Sequence, residues 1–441
     1  MAKRHLLMLG LLLGGSALAS ACSDTKLVTI GGGGDAGATG EAGAKGEAGS
    51  TGDSGSTSVG ESGAGGEGDE AGAGGEAPFE FPPSLNPQGV LVVGPSPSAS
   101  THLLVAGTDF GTKTEIVSIT LASGAVGDST TYDDGDTAAT SSAGVGFAIE
   151  RTNDKVHLLD GGKISKTFDL KDLGSDTAPV DSKAYVPLYN QSLIAILDLA
   201  EGKISRRIDL SEFNAAGDSD HSAEVAEGVY DPNHDIAYFV LQRIQTKSIG
   251  ADLHLPCSKN PGLIVGIDTK TDEVVDLNGT DEGKGIELKL VNQNSLSING
   301  DGTALYMLAD GCYDGSKKTQ QGVEVVDLTD GTTTVAYEAT GSDYLATLVL
   351  TGGEDALIES FDAEYATHWT RLDIAAGTLG AEIMNVPDAV TFDGTDLLGV
   401  QVTGAVGKVV RYKLATQTST TISPTSWAGD YSSAASTALV Q

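Results

Sequence analysis

Tryptophan occurs only twice in the 441 residues, cysteine three times, and 26 basic side chains face 61 acidic ones. Each shortage excludes something. Two tryptophans without supporting cysteines leave no material for a tryptophan-derived cofactor. No apolar run reaches the ~20 residues that span a bilayer as a helix. There is no HExxH, no GxSxG elbow, no Walker loop and no nucleotide fingerprint, so linear enzyme signatures are missing. The formal net charge of −35 repels phosphate backbones and argues against nucleic acid as a partner. It repels anionic lipid headgroups as well, while favouring solubility and attracting cations.

What is present is a recurring phrase: an apolar pair ending a strand, a tight polar turn usually closed by Gly, and a new strand. It reads Ile119-Thr120-Leu121-Ala122-Ser123-Gly124, Leu159-Asp160-Gly161-Gly162, Leu197-Asp198-Leu199-Ala200-Glu201-Gly202 and Ile267-Asp268-Thr269-Lys270-Thr271-Asp272. It returns as Val326-Asp327-Leu328-Thr329-Asp330-Gly331, Leu372-Asp373-Ile374-Ala375-Ala376-Gly377 and Tyr412-Lys413-Leu414-Ala415-Thr416-Gln417. Most copies lie about 40 residues apart, the period of a four-stranded propeller blade. A second element, an Asp- or Asn-initiated turn between strands, recurs at Asp231–Asp235, Asn299–Thr303 and Asp393–Asp396. These residue types tolerate left-handed backbone angles and cap turns locally. The expected fold is all-β: a seven-bladed β-propeller over residues 81–441, preceded by a signal peptide and a disordered Gly-rich tether. Blade one and the last segment are the least regular, which leaves six or eight blades open. Ring closure is expected from the segment Asp430–Val440 or from the one near Leu91, because an open ring leaves strand edges unpaired.

Residues 1–21 read as an export signal: Lys3 and Arg4, an apolar stretch Leu6–Leu13, then small residues. Leu18-Ala19-Ser20-Ala21-Cys22 resembles the lipobox of bacterial lipoproteins. That resemblance implies cleavage before Cys22, lipid (diacylglycerol and palmitate) on the new N-terminus, and a protein anchored rather than threaded. The alternative is an ordinary secretory signal cut after Ala21, leaving a free cysteine. Residues 22–80 form a low-complexity tether, with Gly in a strict period of three from Gly34 to Gly55. The pattern resembles collagen-like Gly-X-Y repeats. Gly31–Ala77 has no proline, few triplets and a phase slip near Ser58, so a flexible spacer is expected rather than a trimer.

Ala184-Tyr185-Val186-Pro187-Leu188-Tyr189-Asn190, followed by Leu193–Leu199 and Gly202-Lys203-Ile204, resembles a YVTN-type β-propeller repeat, with Pro187 and Leu188 in place of the name-giving Thr-Asn. The resemblance covers Asn86 to Ile422 and implies a ring of seven blades, exported, with no transferable catalytic residues. With strands lettered A to D from the axis outward, the Asp-turns join A to B and the Gly-turns join C to D on one face. The B–C and D–A connections then share the other face. The longest of them, Arg243–Pro261, Gly311–Gln321 and Asn214–Glu224, gather there around blades four and five.

Removing the lipidated Cys22 leaves Cys257 and Cys312, an even pair in an oxidising compartment, and a disulfide between these neighbouring B–C loops is expected. A metal thiolate site lacks the accompanying CxxC or His spacing. Asp218, Asp220, His221 and Glu224 offer oxygen and nitrogen ligands at spacing that suits Ca2+, although so acidic a chain clusters carboxylates without purpose. Asp252 and His254 on the next insertion could complete such a site, and Tyr313 is a candidate contact aromatic. His234 reads as turn chemistry, and Trp369 and Tyr412 as blade packing. No catalytic residue and no firm cofactor is assigned. The expected protein is a monomeric, lipid-anchored cell-envelope module, with outer-membrane placement favoured by Ser23. It would bind or scaffold an envelope protein or glycan. The runner-up is an extracytoplasmic lyase, hydrolase or lactonase-like enzyme using a divalent cation.

Overall fold

The computed structural model describes residues 84–94, 100–109, 112–172, 174, 179–215, 222–244, 255–257, 260–279, 284–314, 317–341, 343–364, 366–403, 406–423 and 433–441. The signal, Cys22 and tether readings lie outside them. Among the described residues there is no α-helix, only a short 3-10 turn at Ser211–Phe213. None of their helices is long and apolar enough to cross a membrane.

Among the described residues, six antiparallel four-stranded sheets and one five-stranded sheet, whose outer position is shared by two short strands, form seven blades. Blade two is one continuous stretch: Thr137–Ser142, Val145–Glu150, Lys155–Asp160 and Lys163–Asp169. Blade six (Tyr344–Gly352, Asp355–Phe361, Thr367–Asp373, Thr378–Ile383) and blade seven (Asp388–Phe392, Leu397–Thr403, Val406–Lys413, Thr418–Ser423) are built alike. Blade four joins Val225–Asp231, Ile236–Leu241 and Leu263–Asp268 to an outer strand broken into Glu273–Val275 and Ile286–Glu287. Blade five joins Gln293–Ile298, Ala304–Ala309, Gly322–Asp327 and Thr332–Glu338.

All seven copies of the recurring phrase are turns between third and outer strands, and each has a left-handed backbone at its closing residue or, in blade two, one residue earlier at Gly161. The φ values run from 54° at Gln417 to 75° at Gly202, through Gly124, Gly161, Asp272, Gly331 and Gly377. Glycine dominates because it bears no Cβ to clash there. The preceding Asp caps the turn: Asp198 Oδ1 accepts the amides of Ala200 and Glu201, and Asp268 Oδ1 those of Lys270 and Thr271. One turn of this kind per blade explains why counting turns counts blades.

The middle strands are buried on both faces between neighbouring blades, so they read as continuous apolar runs: Lys183–Leu188 is buried at every position. Outer strands read polar, as in Val126–Tyr132 where only Tyr132 is buried. Large side chains fill the wedges between blades, including Tyr185 against Phe239 and the pair Trp369 and Tyr412.

Closure uses both chain ends, in different blades. Ser433–Val440 is the inner strand of blade one, pairing His102–Thr108, with Thr114–Thr120 and Val126–Tyr132 outside it. Leu91–Val92 is the inner strand of blade three, pairing Tyr185 and Ala184, with Leu193–Asp198 and Lys203–Asp209 outside them. Sequence reading offered these segments as alternatives for one shared blade; the structure uses both because each finds its own unpaired second strand. The edges of the inner strands are then tied across blades by side chains. Ser436 Oγ accepts the Ala139 amide, Ser142 Oγ the Val92 amide, Glu227 Oε2 the Leu296 amide and Ser295 Oγ the Leu348 amide, while Thr437 Oγ1 donates to the Ala389 carbonyl. Edge groups that would otherwise lie unpaired are thereby satisfied.

Candidate functional site

The insertions share one rim, as their positions in the repeat require. Those of blade four, between Leu241 and Leu263, and of blade five, between Ala309 and Gly322, both join second to third strands. Asn214–Glu224 leads from blade three into blade four on the same side. An additional excursion, from Asp276 to Gly285, interrupts the outer strand of blade four; its share of the long spacing was assigned in the sequence to the other insertions.

Cys257 and Cys312, 55 residues apart, form a disulfide with Cα atoms 4.8 Å from one another. Around it the two insertions make a small sheet of their own. Cys312–Asp314 pairs with Lys317–Thr319 as a hairpin. The segment Leu255–Cys257 lies along the hairpin, with Tyr313 N donating to Leu255 O at 2.8 Å and Cys257 N to Tyr313 O at 3.2 Å. Few apolar groups lie beneath; Ile244 and Leu255 form a two-residue core. A cross-link is what such a core-poor rim needs.

The hairpin is fastened to blade six by charge. Lys318 Nζ lies 2.5 Å from Asp310 Oδ1, donates to the Asp343 carbonyl at 3.2 Å, and sits 4.2 Å from the Tyr344 ring centroid. Asp310 Oδ1 also accepts the Leu345 amide at 2.8 Å. Burial pulls the Lys318 ammonium below the usual lysine range, with Asp310 opposing the shift. The Tyr313 hydroxyl meets that of Tyr344 at 3.4 Å.

Beside this anchor a cleft of about 250 Å³ opens between blades five and six. Ala339, Gly341, Ser360 and Thr370 are among the small residues that line it. Gln321 and Asp343 line it, as do His368 and Glu382. His368 Nδ1 lies 2.8 Å from Glu382 Oε1 and Nε2 lies 3.3 Å from Asp362 Oδ2. Glu382 first, then Asp362, holds the imidazole above its ordinary range, favouring the charged form. Gln321 is 1% exposed, and its Nε2 donates to the Gly341 carbonyl at 3.3 Å. Its Oε1 has no hydrogen-bond partner among the described residues.

Of the residues singled out in the sequence, Cys257, Cys312 and Tyr313 come together. Glu224 is buried; its Oε2 accepts the Ile244 amide at 3.0 Å and so secures the start of the blade-four insertion. Asp218, Asp220, His221, Asp252 and His254 lie outside the described residues. Among those described, no group of three or more His, Cys, Asp or Glu side chains is placed to hold a metal ion. Gln321, Asp343, His368 and Glu382 were not singled out. They come from four separate strands or loops and share no local motif.

No protein-family model matches the chain, and no curated protein matches it. Solved structures similar to it include TolB from Acinetobacter baumannii, at 10% identity and TM-score 0.43, covering 77% of this chain and 66% of TolB. Dihydro-heme d1 dehydrogenase NirN in complex with DHE is 11% identical at TM-score 0.42, covering 78% and 80%. Virginiamycin B lyase from Staphylococcus aureus is 16% identical at TM-score 0.40, covering 70% and 94%. The chain thus spans about two thirds of the length of TolB. These proteins differ in role from one another; the seven-bladed assignment rests on the sheet topology itself.

Proposed function

We propose that this protein is a lipid-anchored cell-envelope β-propeller acting as a non-enzymatic binding or scaffolding module, whose insertion-bearing rim holds an envelope protein or glycan. The observation that carries the reading is the disulfide joining the insertions of blades four and five beside the cleft. Ordering long loops costs conformational entropy, and a rim fixed in advance avoids that cost when a partner arrives. The charged groups there serve positioning: Lys318 with Asp310, and His368 with Glu382 and Asp362. Within the cleft, His368 is engaged by the carboxylates of Glu382 and Asp362 rather than by a hydroxyl or thiol.

The test has two arms. Envelope fractions and a glycan array are probed with the full chain and with Tyr313→Ala and Cys257→Ser variants. Capture of the same protein or glycan by the full chain, weakened by the rim variants and indifferent to Asp220→Asn, is the expected result. A calcium-dependent rise in melting temperature that disappears in Asp220→Asn would instead move the reading to a divalent-cation enzyme. Attachment is read separately, by palmitate incorporation that is lost in Cys22→Ala.

A further inference from the structure

Away from the rim insertions, blade two carries a line of three functional groups across its second, third and outer strands. His157 stands opposite Thr167 on one side and Ala148 on the other. Glu150 lies two residues beyond Ala148, so the pleat puts Glu150, His157 and Thr167 on one face. His157 Nε2 is 2.8 Å from Glu150 Oε2, and Nδ1 is 2.9 Å from Thr167 Oγ1. Glu150 and His157 are buried, and the Tyr132 ring of blade one covers the imidazole at 5.3 Å between centroids. Asn153 Nδ2 donates to the other carboxylate oxygen, Glu150 Oε1, at 3.4 Å. Thr167, on the outer strand, is exposed.

The direction of each hydrogen bond follows from what its groups can do. Burial opposes ionisation of Glu150, but the hydrogen bonds from His157 and Asn153 outweigh it and hold the carboxyl below the usual glutamate range. An ionised carboxylate only accepts, so Nε2 carries the proton of the neutral imidazole. Nδ1 is then the acceptor, and the Thr167 hydroxyl donates to it. A hydroxyl aimed at an imidazole lone pair, with the ring held in that tautomer by a buried carboxylate, is the arrangement that activates an alcohol as a nucleophile.

We propose that Thr167 is an acyl-acceptor site: its hydroxyl, with His157 as base and Glu150 as positioning carboxylate, takes the acyl group of an activated ester. Thr167 Oγ1 bonds to the acyl carbon while its proton passes to His157 Nδ1. The ester C–O bond breaks with its electron pair on the leaving oxygen, which takes that proton back from Nδ1. The products are O-acyl Thr167 and the free alcohol or phenol. A neutral acyl ester suits the site better than a phosphoryl donor, since a chain of net charge −35 repels a phosphate dianion. Acylation of this one residue leaves the protein a binding module and does not depend on the rim of blades four and five.

The full chain is treated with p-nitrophenyl acetate, and acetylation is followed residue by residue by mass spectrometry. Thr131, an exposed threonine on the outer strand of blade one, is the internal standard. We expect Thr167 to react at least ~100-fold faster than Thr131, the low end of what a positioned base contributes. Thr167→Ser should keep the reaction and Thr167→Val, of nearly the same shape, should abolish it. In Glu150→Gln an amide donating to Nε2 puts the ring proton on Nδ1, so the Thr167 hydroxyl loses its acceptor. Labelling should then fall ~100-fold or more with the fold retained by circular dichroism. Should that buried variant unfold, the two variants at exposed Thr167 decide. p-Nitrophenyl phosphate should leave Thr167 unmodified. Labelling of Thr167 no faster than of Thr131, or undiminished in folded Glu150→Gln, overturns the proposal and leaves His157 as a buried ring satisfied by two partners. Labelling by the phosphate ester overturns the assignment to acyl groups.

Discussion

The hydroxyl of Ser142 accepts the backbone amide of Val92 at 2.8 Å. Ser142 belongs to blade two and Val92 to the inner strand of blade three, supplied by the N-terminal part of the propeller chain. On the other side of the same blade-two strand, the Ala139 amide donates to Ser436, on the C-terminal strand. Blade two is therefore gripped between the first and last strands of the ring. Opening the ring at either end exposes the inner edge of a neighbouring blade, so the two closures support one another.

Ser142→Ala and Ser436→Ala each remove the acceptor for an inner-strand amide and should lower unfolding free energy by about 1–2 kcal/mol. Deleting 433–441 removes a whole inner strand, and the cooperative melt should be lost. Urea denaturation followed by circular dichroism measures both. Full stability in the truncated chain would contradict the closure.

Between blades three and four, Lys183 Nζ and Tyr185 OH both donate to Asp272 Oδ1, at 2.6 and 2.5 Å, with Lys183 and Asp272 almost wholly buried. Lys183→Met leaves that carboxylate buried without its cation and should cost about 3–5 kcal/mol. Adding Asp272→Asn should recover much of the loss, since Asn tolerates the left-handed backbone found there. Equal destabilisation in the single and double variants would rule out charge burial as the cause.

Burial pushes the carboxyls of Glu227 and Glu359 up to about 7 from an ordinary 4.5. A raised folded-state value means tighter proton binding by the folded chain. The contribution of these groups to stability is thus fully present below about pH 4.5 and is lost as pH rises through 7, by on the order of 1–3 kcal/mol each. Glu227→Gln keeps an oxygen for the Leu296 amide and removes the charge. It should melt higher than the native chain at pH 8 and show a flatter profile between pH 5 and 8. A lower melting temperature at pH 8 would reverse the argument.

Cys257→Ser with Cys312→Ser removes a cross-link closing a 55-residue separation, for which chain entropy gives about 4 kcal/mol as an upper figure. The loss should concentrate at the rim, because seven blades carry the core. Limited proteolysis should cut the blade-four insertion first, with the ring protected. Simultaneous cleavage throughout the ring would show instead that the disulfide supports the whole fold.

Much of the architecture was legible because it is written in short windows. An Asp that caps the next two amides and a Gly that accepts φ near +70° are chemistry within six residues, and each copy signals its blade without help from the rest. Cys257 and Cys312 were legible for another reason: the repeat phase puts them in equivalent loops of adjacent blades. The cleft was not legible. Ala339, Gly341, Ser360 and Thr370 are unremarkable residues whose smallness matters only once two blades face each other, and Gln321 stands out only because burial leaves its oxygen without a donor.

By itself, then, the amino-acid order determined the strand character, the repeating blade unit and the rim on which the long connections gather, since turn geometry and alternation act between near neighbours; the count of seven blades came from the sheet topology. Tertiary structure alone decided which terminal strand completes which blade, that Lys183 meets Asp272 across 89 residues, and that a polar cleft opens beside Lys318. Those outcomes depend on the shape and hydrogen-bonding capacity left over when whole sheets pack, and no local window contains that information.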